Sequence, residues 1–492
     1  MVQESRAAES PTGLRTRVAG GVRWKLVGQA SAQATSAAAS IVLAHLLTPQ
    51  DFGLAGMALV FAGIGTVFGG VALSAALIQR PVLQEEDRST AFWTSVAAGS
   101  FFMLLGIGIS PLVADFFGRP AVAPLFAATS VLFLLSSLSA TQTALLTREM
   151  NFRSLEIRGI ASGLAAAAAA VALGFAGAGA WAMVGQALVQ AGTSVALLWT
   201  LSPWRPTFTY SMASLRTLGS YSGKTLVSQV LGYLVNNIDN LLVGRFLGSV
   251  PLGLYTVAYN TMFLPLSRVS MPIQQVLFSA FSRLQSEPKR LADAWARGNQ
   301  VISAVNVPAF LGMAVVAPDF VPVVLGDKWR AAAPVLQFLS LAGVGSTLQT
   351  LNWSTVQAIG RPGVMLRFRL FSTPVTLLAF AIGLHWGVVG VAASFAISRF
   401  VVTPVSTVVT CRTLGCSPVW ALRGEVLVTA LALLMAGVVA LGRIGLMHVG
   451  VSAALRLAAV VPLGIAVYTG LLLVAAPNVV GELRSLAHRQ RR

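Results

Sequence analysis

Long apolar segments separated by short polar stretches follow one another along the whole chain. A helix needs about 20 apolar residues to cross the hydrocarbon core of a bilayer, and about fourteen segments come near that length. The apolar/polar alternation of a membrane β-barrel is absent. The pattern predicts an all-α polytopic membrane protein with about fourteen transmembrane helices, at residues 22–46, 52–78, 90–114, 120–146, 157–176, 180–200, 220–247, 251–279, 298–324, 331–358, 364–384, 387–411, 425–446 and 451–476.

The composition agrees with this class. Of the 492 residues, 55% are hydrophobic and 10% are charged, whereas a soluble domain carries about 25% charged residues. The net charge of +18 comes from basic residues scattered between the apolar runs, so it indicates membrane topology and no nucleic-acid partner. The spacing of Cys411 and Cys416 fits no usual zinc site, and two unpaired cytosolic thiols are expected.

Three collinear matches indicate a duplicated unit. Residues 45–54 resemble residues 245–254. Two further matches pair glycines of the first half with glycines of the second, namely Gly118 with Gly326 and Gly179 with Gly387. Each unit holds an even number of helices, so both enter the membrane in the same orientation and form a parallel repeat.

The duplication and the polar stretches together predict the division of the chain. Two six-helix lobes are expected, and two helices follow them outside the repeat. The predicted limits are a cytosolic tail at 1–21, an N-terminal lobe at 22–200, a cytosolic linker at 201–219, a C-terminal lobe at 220–412, two additional transmembrane helices at 425–476 and a basic cytosolic tail at 477–492.

The basic residues predict the orientation. Of the 34 Lys and Arg, 26 lie in the loops or in the adjoining helix ends on one side of the predicted helices. Loops rich in Lys and Arg stay in the cytosol. Both termini and the loop at 280–297 are therefore predicted to be cytoplasmic, and the loops at 248–251 and 326–330 to lie outside.

No catalytic constellation stands out, and neither a phosphate-binding glycine loop nor a zinc-protease motif occurs. No cofactor and no metal are expected. Charges inside apolar runs remain as candidates, and each has two interpretations. Arginine forks suit phosphate and a buried carboxylate can exchange a proton or hold a cation. The structural alternatives are that Asp239 is satisfied by Arg245 or nearby asparagines, that Arg268 reaches the cytosolic interface, and that Arg399 binds backbone carbonyls. Arg456, near the start of the last helix, is expected to reach the surface.

Several strings resemble those of a known transporter family. They are HLLTPQDFGLAGMALVF, NNIDNLLVGRFLGSVPLGLYTVAYN, LFSAFSRLQSEPKRLADAW and VLGDKWRAAAPVLQFLSL. These strings are similar to those of bacterial polysaccharide exporters, the lipid-linked oligosaccharide flippases of the multidrug/oligosaccharidyl-lipid/polysaccharide exporter superfamily. The branch that the chain resembles is associated with exopolysaccharide, colanic-acid-type and teichuronic-acid-type export.

The resemblance implies two six-helix lobes around a central cavity in the bacterial inner membrane, lined by helices one, two, seven and eight. The implied substrate is an undecaprenyl-pyrophosphate-linked oligosaccharide, moved from the inner to the outer leaflet by alternating access and a cation gradient. Membrane lipids, a glycan polymerase and export machinery are the further partners considered. The residues implied to bind substrate are Arg268, Lys224, Asn236, Asn240, Gln29 and Gln33, and those implied in coupling or gating are Asp239, Arg245 and Arg399.

The first lobe departs from a cavity with basic residues on both walls, because it offers few buried cations. The repeat counterpart of Asp239 is Ala39, and the first helix offers Gln29, Gln33 and Ser36 instead. Two other functions stay open. The first is a cation-coupled drug or small-molecule exporter of the same superfamily, for which an acidic and aromatic cavity would be evidence. The buried charges here are mainly cationic, which favours an anionic substrate instead. A membrane glycan polymerase or glycosyltransferase needs a large extramembrane loop, and the loops here are short. The chain is therefore expected to be a transporter and not an enzyme.

Overall fold

The structure, a computed structural model, describes most of the chain. It covers residues 28, 31, 35–80, 83–216, 229–230 and 232–482, apart from the side chains of residues 64–76, 79, 268–269, 272, 275–276, 279 and 362. The residues described are almost all helical, and no β-strand occurs among them. Contacts divide the chain into two compact units, Met1–Val250 and Pro251–Arg492, and each unit is described by itself.

Eight segments of the described ranges are long and apolar enough to cross a membrane. They are Glu85–Phe117, Val122–Arg148, Phe152–Phe175, Trp181–Leu201, Pro288–Leu325, Gly363–Leu414, Pro418–His448 and Ala453–Ala475. The segment Gly363–Leu414 contains two of the predicted runs, at 364–384 and 387–411, joined by the short 3-10 turn Leu384–Trp386. The predicted class of a multi-pass helical membrane protein is confirmed.

The helices of the first unit follow the predicted apolar runs. In chain order they are α1 (Thr35–Leu46), α2 (Pro49–Gln79), α3 (Glu85–Phe117), α4 (Val122–Thr129), α5 (Val131–Arg148), α6 (Phe152–Phe175), α7 (Trp181–Leu201) and α8 (Ile238–Phe246). α5 packs against α2, α3 and α7, and α6 pairs with α7. The predicted run at 120–146 is divided between α4 and α5 at Ser130, whose hydroxyl donates to the carbonyl of Phe126 at 2.8 Å. Such a bond to the preceding turn often bends a helix.

The end of α2 is capped by Arg148, the last residue of α5. Its Nη1 donates to the carbonyl oxygens of Leu77, Ile78 and Arg80 at 3.0, 3.2 and 2.6 Å. The last carbonyls of a helix have no partner within it, and a cation is favourable there. The Arg80 side chain in turn bonds to the buried carboxylate of Asp87 in the first turn of α3. These contacts fix the short connection between α2 and α3.

The described part of the predicted linker at 201–219 is hydrogen-bonded to the start of α3. Nε1 of Trp204 donates to a carboxylate oxygen of Glu85 at 2.6 Å. Nε1 of Trp93 donates to the carbonyl of Thr207 at 2.9 Å. Aromatic side chains therefore tie this polar stretch to a transmembrane helix of the first unit.

The segment that carries α8 approaches α2 closely. The hydroxyl of Tyr233 donates to the carbonyl of Val60 at 2.9 Å. A Cβ atom added at Gly63 would overlap the Tyr233 ring, and one added at Gly53 would overlap the backbone of Ser249. Two glycines of α2 thus provide the close approach that small residues allow between membrane helices.

This packing places the contact boundary after residue 250, whereas the predicted boundary between the lobes lies at 220. The difference arises because α8 contacts α2 and α3 of the first unit. The predicted domain limits stay a prediction.

The second unit contains the remaining helices, each at a predicted run. They are α9 (Ser249–Pro265), which begins two residues before the boundary, the π-helical turn Leu266–Ser270, α10 (Met271–Arg283), α11 (Pro288–Phe320), α12 (Ala332–Ala358), α13 (Pro362–Gly383), α14 (Gly387–Leu414), α15 (Pro418–His448) and α16 (Ala453–Ala475). α12 packs against α11 and α14, and α13 pairs with α14. α15 and α16 pack together, and both contact α11.

The two units repeat part of their packing. The pairs α3–α5 and α6–α7 of the first unit correspond in sequence order to α11–α12 and α13–α14 of the second, and all four pairs are in contact. The glycines matched in the sequence share a positive φ: it is 62° at Gly118 and 104° at Gly326, and it is 57° at Gly179 and 69° at Gly387. Glycine adopts positive φ at little steric cost, so both halves of the chain use a glycine at these matched turns. Both observations support the duplication.

Candidate functional site

Arg268 lies in the middle of a π-helical turn in the second unit. α9 ends at Pro265. The backbone of Leu266–Ser270 then forms a π-helix, whose hydrogen bonds join residues five apart instead of four, before α10 begins. The side chain of Arg268 is among those that the structure does not describe. The turn is held at its end by Asn306 of α11, whose Nδ2 donates to the hydroxyl of Ser270. Single π-helical turns inside helices are frequent at functional sites.

Buried oxygen atoms form a row along α11 next to this turn. Oδ1 of Asn299, Oγ of Ser303 and Oδ1 of Asn306 are buried and have no hydrogen-bond partner among the described residues. The three positions are four and three residues apart, so they share one face of the helix. Buried polar atoms normally find a partner, and water commonly supplies it. This face can therefore hold water or a polar group inside the second unit.

A second polar cluster joins α12 to α14 and α11. The amide nitrogen of Asn352 donates to the hydroxyls of Ser406 and Thr407 at 2.9 and 3.3 Å. Its oxygen accepts from Nε1 of Trp295 at 3.2 Å. Asn352 and Ser406 are fully buried, and all of these partners are satisfied locally. We therefore assign this cluster to holding the helices together.

Arg399 lies on α14, partly buried against α12. Its Nη1 donates to Oε1 of Gln349 at 3.2 Å, and the guanidinium carbon lies 4.7 Å from the centre of the Phe395 ring. A Cβ atom at Gly345 would crowd the Arg399 side chain, so the two helices approach closely here. The sequence predicted an arginine bound to backbone carbonyls, whereas the contacts described are with a side-chain amide and an aromatic face.

Asp239 lies in the first turn of α8, in the first unit, and is buried with 5% of its surface exposed. Its Oδ1 accepts a hydrogen bond from the backbone nitrogen of Asn240 at 2.8 Å. Asn236, just before the turn at Asn237, is exposed, and Asn240 is partly buried. The first turn of a helix favours a carboxylate because unpaired backbone N–H groups point towards it.

Arg245 lies on a different face of α8 from Asp239. Six residues separate them, which is about 600° of rotation at 3.6 residues per turn. Arg245 is exposed, and its guanidinium carbon lies 5.6 Å from the centre of the Phe116 ring. Among the described ion pairs none joins Asp239 to Arg245. Of the two structural alternatives for Asp239, a contact with a nearby asparagine is described, whereas a pair with Arg245 is not.

Three predicted site residues, Gln29, Gln33 and Lys224, lie outside the described residues. The other predicted positions divide between the two units. Asn236, Asp239, Asn240 and Arg245 belong to the first, and Arg268 and Arg399 belong to the second.

A buried ion cluster that the sequence analysis missed connects α11, α15 and α16. Oδ2 of Asp319 accepts from Nε of Arg443 at 2.6 Å, and Oδ1 accepts from Nη2 of Arg456 at 2.5 Å. Nη1 of Arg456 also donates to the carbonyl of Val451 at 2.6 Å. The side chain of Asp319 is 4% exposed, and those of the two arginines are 18% and 16% exposed. Arg456, which the sequence predicts to reach the surface, is partly exposed and also binds the buried carboxylate of Asp319.

A signal for this cluster was present in the sequence. Asp319 stands in the apolar run at 298–324, and Arg443 and Arg456 stand near the ends of the last two runs. The predicted topology places all three at the same side of the membrane. Opposite charges in apolar segments at equal depth are expected to pair.

No group of three or more His, Cys, Asp or Glu that could hold a metal occurs within the described ranges. Cys411 and Cys416 are unpaired thiols there. Cys416 lies between α14 and α15, and burial raises the pKa of its thiol. The chemistry that these ranges offer is thus hydrogen bonding and charge pairing.

A multi-pass helical fold with charged and amide side chains buried between helices defines the class of a polytopic helical membrane protein. The fold is similar to that of a solved structure of the lipid II flippase MurJ in an inward closed conformation, with a TM-score of 0.77 over 93% of this chain and 100% of that chain. The two sequences are 12% identical, so the likeness concerns the fold alone.

The chain belongs to the polysaccharide biosynthesis protein family, whose model matches residues 42–334. The lipopolysaccharide biosynthesis protein WzxC of Escherichia coli (strain K12) is 26% identical over 400 residues, which are 80% of each chain. The teichuronic acid biosynthesis protein TuaB of Bacillus subtilis (strain 168) is 26% identical over 437 residues, which are 85% of this chain and 88% of that protein. The resemblance predicted from the sequence strings is confirmed.

Proposed function

We propose that this protein is a flippase, and not an enzyme, that moves a lipid-linked oligosaccharide from the inner to the outer leaflet of the bacterial inner membrane. Membership of the polysaccharide biosynthesis family, matched at residues 42–334, carries the proposal. The names of WzxC and TuaB refer to the synthesis of lipopolysaccharide and teichuronic acid. The fold shared with a lipid flippase supports translocation as the step that a chain of this class performs in such a synthesis.

The membrane arrangement is part of the proposal. About fourteen helices form two parallel six-helix lobes followed by two further helices, and both termini are cytoplasmic. The helices found at the predicted runs and the 26 of 34 basic residues on one side support this arrangement. The limits proposed for the lobes are 22–200 and 220–412.

The substrate carries a pyrophosphate, a glycan and a polyprenyl chain. We assign recognition of the pyrophosphate to Arg268 and Lys224, because cationic donors suit phosphate oxygens. We assign hydrogen bonding to the glycan to four amides, Asn236, Asn240, Gln29 and Gln33. The position of Arg268 within a π-helical turn supports a functional role for it, since single π-helical turns inside helices are frequent at functional sites.

Coupling to a cation gradient is assigned to Asp239, with Arg245 and Arg399 in gating. A buried carboxylate in a membrane helix can change its protonation or its cation as the helix moves. The burial of Asp239 and the contacts of Arg399 with Gln349 and Phe395 support these roles. A glycan polymerase and the export machinery are the partners proposed for the step after translocation.

The test is translocation of a fluorescent undecaprenyl-pyrophosphate-linked oligosaccharide in proteoliposomes, with and without an imposed proton or sodium gradient. Reduction of the fluorophore by an impermeant reagent reports the outer leaflet. We expect protein-dependent movement of the glycolipid and acceleration by one of the gradients. A gradient without effect would remove the coupling assignment and leave the flippase proposal standing.

The drug-exporter alternative is tested in the same vesicles. Gradient-driven efflux of a cationic dye, together with an immobile glycolipid, would replace the proposal by that alternative. In cells, deletion of the gene is expected to remove the surface polysaccharide and to accumulate its lipid-linked repeat unit on the cytosolic leaflet. Normal surface polysaccharide after deletion would contradict the proposed function.

A further inference from the structure

A cleft of about 400 Å³ opens between α13 and α14 in the second unit. α13 begins at Pro362 and α14 ends at Leu414, and the two helices pack side by side in opposite directions. The cleft is lined by residues near these two ends, so it lies at one membrane boundary. The predicted topology makes that boundary the cytosolic one.

Three arginines, Arg361, Arg367 and Arg412, form the outer rim of the cleft, and no acidic residue lines it. All three are exposed. None forms an ion pair with a described residue, and the one hydrogen bond among them runs from Nε of Arg367 to the carbonyl of Gly363 at 3.4 Å. The rim is therefore a concentration of uncompensated positive charge with free guanidinium forks, which suit the oxygens of a phosphate.

The inner part of the cleft is apolar and firmly packed. The side chain of Phe368 is buried. The centre of its ring lies 4.5 Å from the centre of the Trp353 ring and 6.2 Å from that of the Phe371 ring. Val405 and Val409 of α14 form the opposite wall. Exposed apolar side chains continue along the membrane-facing surface of α13, at Leu366, Leu370 and Leu378. An acyl chain can follow this surface from the arginine rim towards the middle of the bilayer.

We propose that this cleft binds an anionic phospholipid, with its phosphate on Arg361, Arg367 and Arg412 and an acyl chain over Phe368 and Phe371. Basic pockets between transmembrane helices at the cytosolic boundary are suited to the headgroups of anionic lipids. The site lies within the second unit and involves none of the residues assigned to glycan transport. The proposal rests on the proposed topology for its cytosolic placement, but not on the residues assigned to glycan transport.

The occupant is a membrane phospholipid because the rim offers exposed, flexible arginine side chains. Exposed arginines on flexible side chains each strengthen association with an anionic lipid surface by roughly fivefold. Three of them give an enrichment of about a hundredfold, which is sufficient for a lipid that makes up a large share of the leaflet. A scarce glycolipid needs buried, well-fixed donors for its pyrophosphate, and this rim has none.

The experiment is native mass spectrometry of the full-length protein, delipidated in detergent and titrated with phosphatidylglycerol or phosphatidylcholine. We expect phosphatidylglycerol to bind in preference. Arg361→Gln, Arg367→Gln and Arg412→Gln should each weaken its binding about fivefold, and the triple variant about a hundredfold. Phe371→Ala should also weaken phosphatidylglycerol binding, because the acyl chain loses its apolar contact with the Phe371 ring.

Residues outside the cleft supply matched controls. Arg369 is exposed on the same turn of α13 and does not line the cleft, so Arg369→Gln removes an equal charge at equal depth. Leu434→Ala, at an exposed apolar residue of α15 that does not line the cleft, is the matching apolar control. Both should bind phosphatidylglycerol as the unchanged protein does. An equal loss in Arg367→Gln and Arg369→Gln, or normal binding by the triple variant, would overturn the proposal.

Competition distinguishes the sources of phosphate. Inorganic phosphate should leave the bound phosphatidylglycerol in place, and displacement by it at equal concentration would identify a free-anion site instead. Undecaprenyl phosphate should compete no better than phosphatidylglycerol. Strong displacement by undecaprenyl phosphate, lost in the triple variant, would make the cleft a substrate-loading site and would also overturn the proposal.

Discussion

Nε of Arg443 donates a hydrogen bond to Oδ2 of Asp319 across 2.6 Å. This contact joins α15, one of the two helices that follow the duplicated part of the chain, to α11 of the second unit. The other oxygen of the same carboxylate binds Arg456 of α16. A single buried carboxylate therefore holds both C-terminal helices on the second unit, and their apolar packing against α11 surrounds it.

The first prediction concerns this cluster. Asp319→Ala leaves two partly buried arginines without their acceptor, and removing one partner of an ion pair that is shielded from water is destabilising because the remaining charge is uncompensated. We expect a large fall in the unfolding temperature of the purified protein and proteolytic loss of α15 and α16. The triple change Asp319→Ala, Arg443→Met and Arg456→Met should recover most of the stability, because no unpaired charge remains.

Asp327→Ala is the matched control for this prediction. Asp327 binds Arg330 at 2.7 Å, but both side chains are more than 70% exposed, and an exposed pair contributes roughly 0–1 kcal/mol. Equal thermal shifts for Asp319→Ala and Asp327→Ala would show that burial of the cluster is unimportant.

The second prediction concerns the close approach on α2. Gly63→Ala places a methyl group against the Tyr233 ring and should break the hydrogen bond from Tyr233 to Val60. Gly53→Ala meets the backbone of Ser249, which cannot rotate away as a side chain can. Overpacking of this kind costs about 1–3 kcal/mol, and we expect the larger loss at Gly53. Thermal unfolding in detergent measures both.

Gly108→Ala is the control for the glycine series. Gly108 lies inside α3, and nothing approaches the added Cβ within 4 Å. Alanine is a better helix former than glycine by about 1 kcal/mol, so this variant should be as stable as the unchanged protein or more so. If Gly53→Ala and Gly108→Ala behaved alike, the close packing of α2 would be refuted.

The third prediction concerns Arg399. Arg399→Ala removes the donor to Gln349 and the cation above the Phe395 ring, so we expect lower stability and weaker gradient-driven translocation. Binding of the lipid-linked oligosaccharide should stay within about twofold, because we assign Arg399 to gating and not to substrate. Arg399→Lys should rescue in part, since an ammonium keeps the charge and loses the planar fork.

Gln349→Ala should reproduce the stability loss of Arg399→Ala, and the double variant should be less than additive because the two residues share one contact. Arg290→Ala is the control, since its ion pair with Glu287 is exposed. An Arg399→Ala protein with normal stability and a normal rate would exclude this role.

The fourth prediction concerns Asp239 and Arg268. Asp239→Asn keeps an oxygen for the backbone nitrogen of Asn240 and removes only the charge, so the first turn of α8 should persist. We expect the gradient-driven rate to fall strongly while glycolipid binding is retained. Arg268→Ala should abolish translocation without loss of protein, and Arg268→Lys should restore part of it.

These variants are compared in proteoliposomes at matched protein levels. Arg245→Ala, on the other face of α8, should affect translocation less than Asp239→Asn does. Normal rates for both Asp239→Asn and Arg268→Ala would leave the two charges with structural roles only.

The fifth prediction concerns topology, which cysteine labelling from outside the cell can test. Ser249 is 3% exposed and therefore a poor position, whereas the neighbouring Val250 is 44% exposed. Val250→Cys should react with an impermeant maleimide, and Ser286→Cys should react after permeabilisation. The native thiols add little background, because Cys411 is buried and the raised pKa of Cys416 lowers its thiolate fraction at neutral pH. Labelling of Ser286→Cys in intact cells, with Val250→Cys unreactive, would reverse the orientation.

Some features of this protein follow from the sequence because they depend on local physics. Helices form at the predicted runs since a membrane requires about 20 apolar residues with every backbone group paired inside the segment. The positive φ at Gly118 and Gly326 follows from glycine itself. The separation of Asp239 from Arg245 on α8 also follows from helical periodicity.

Other features depend on which helices become neighbours, and no local rule supplies that. Asp319 meets Arg443 and Arg456 only because α15 and α16 pack on α11, more than 120 residues away in sequence. The bonds from Trp204 to Glu85 and the arginine rim between α13 and α14 arise in the same way. The sequence by itself determined the class, the helices and the family of this protein. The tertiary structure decided which buried charges are paired, because pairing depends on depth and distance between helices that are remote along the chain.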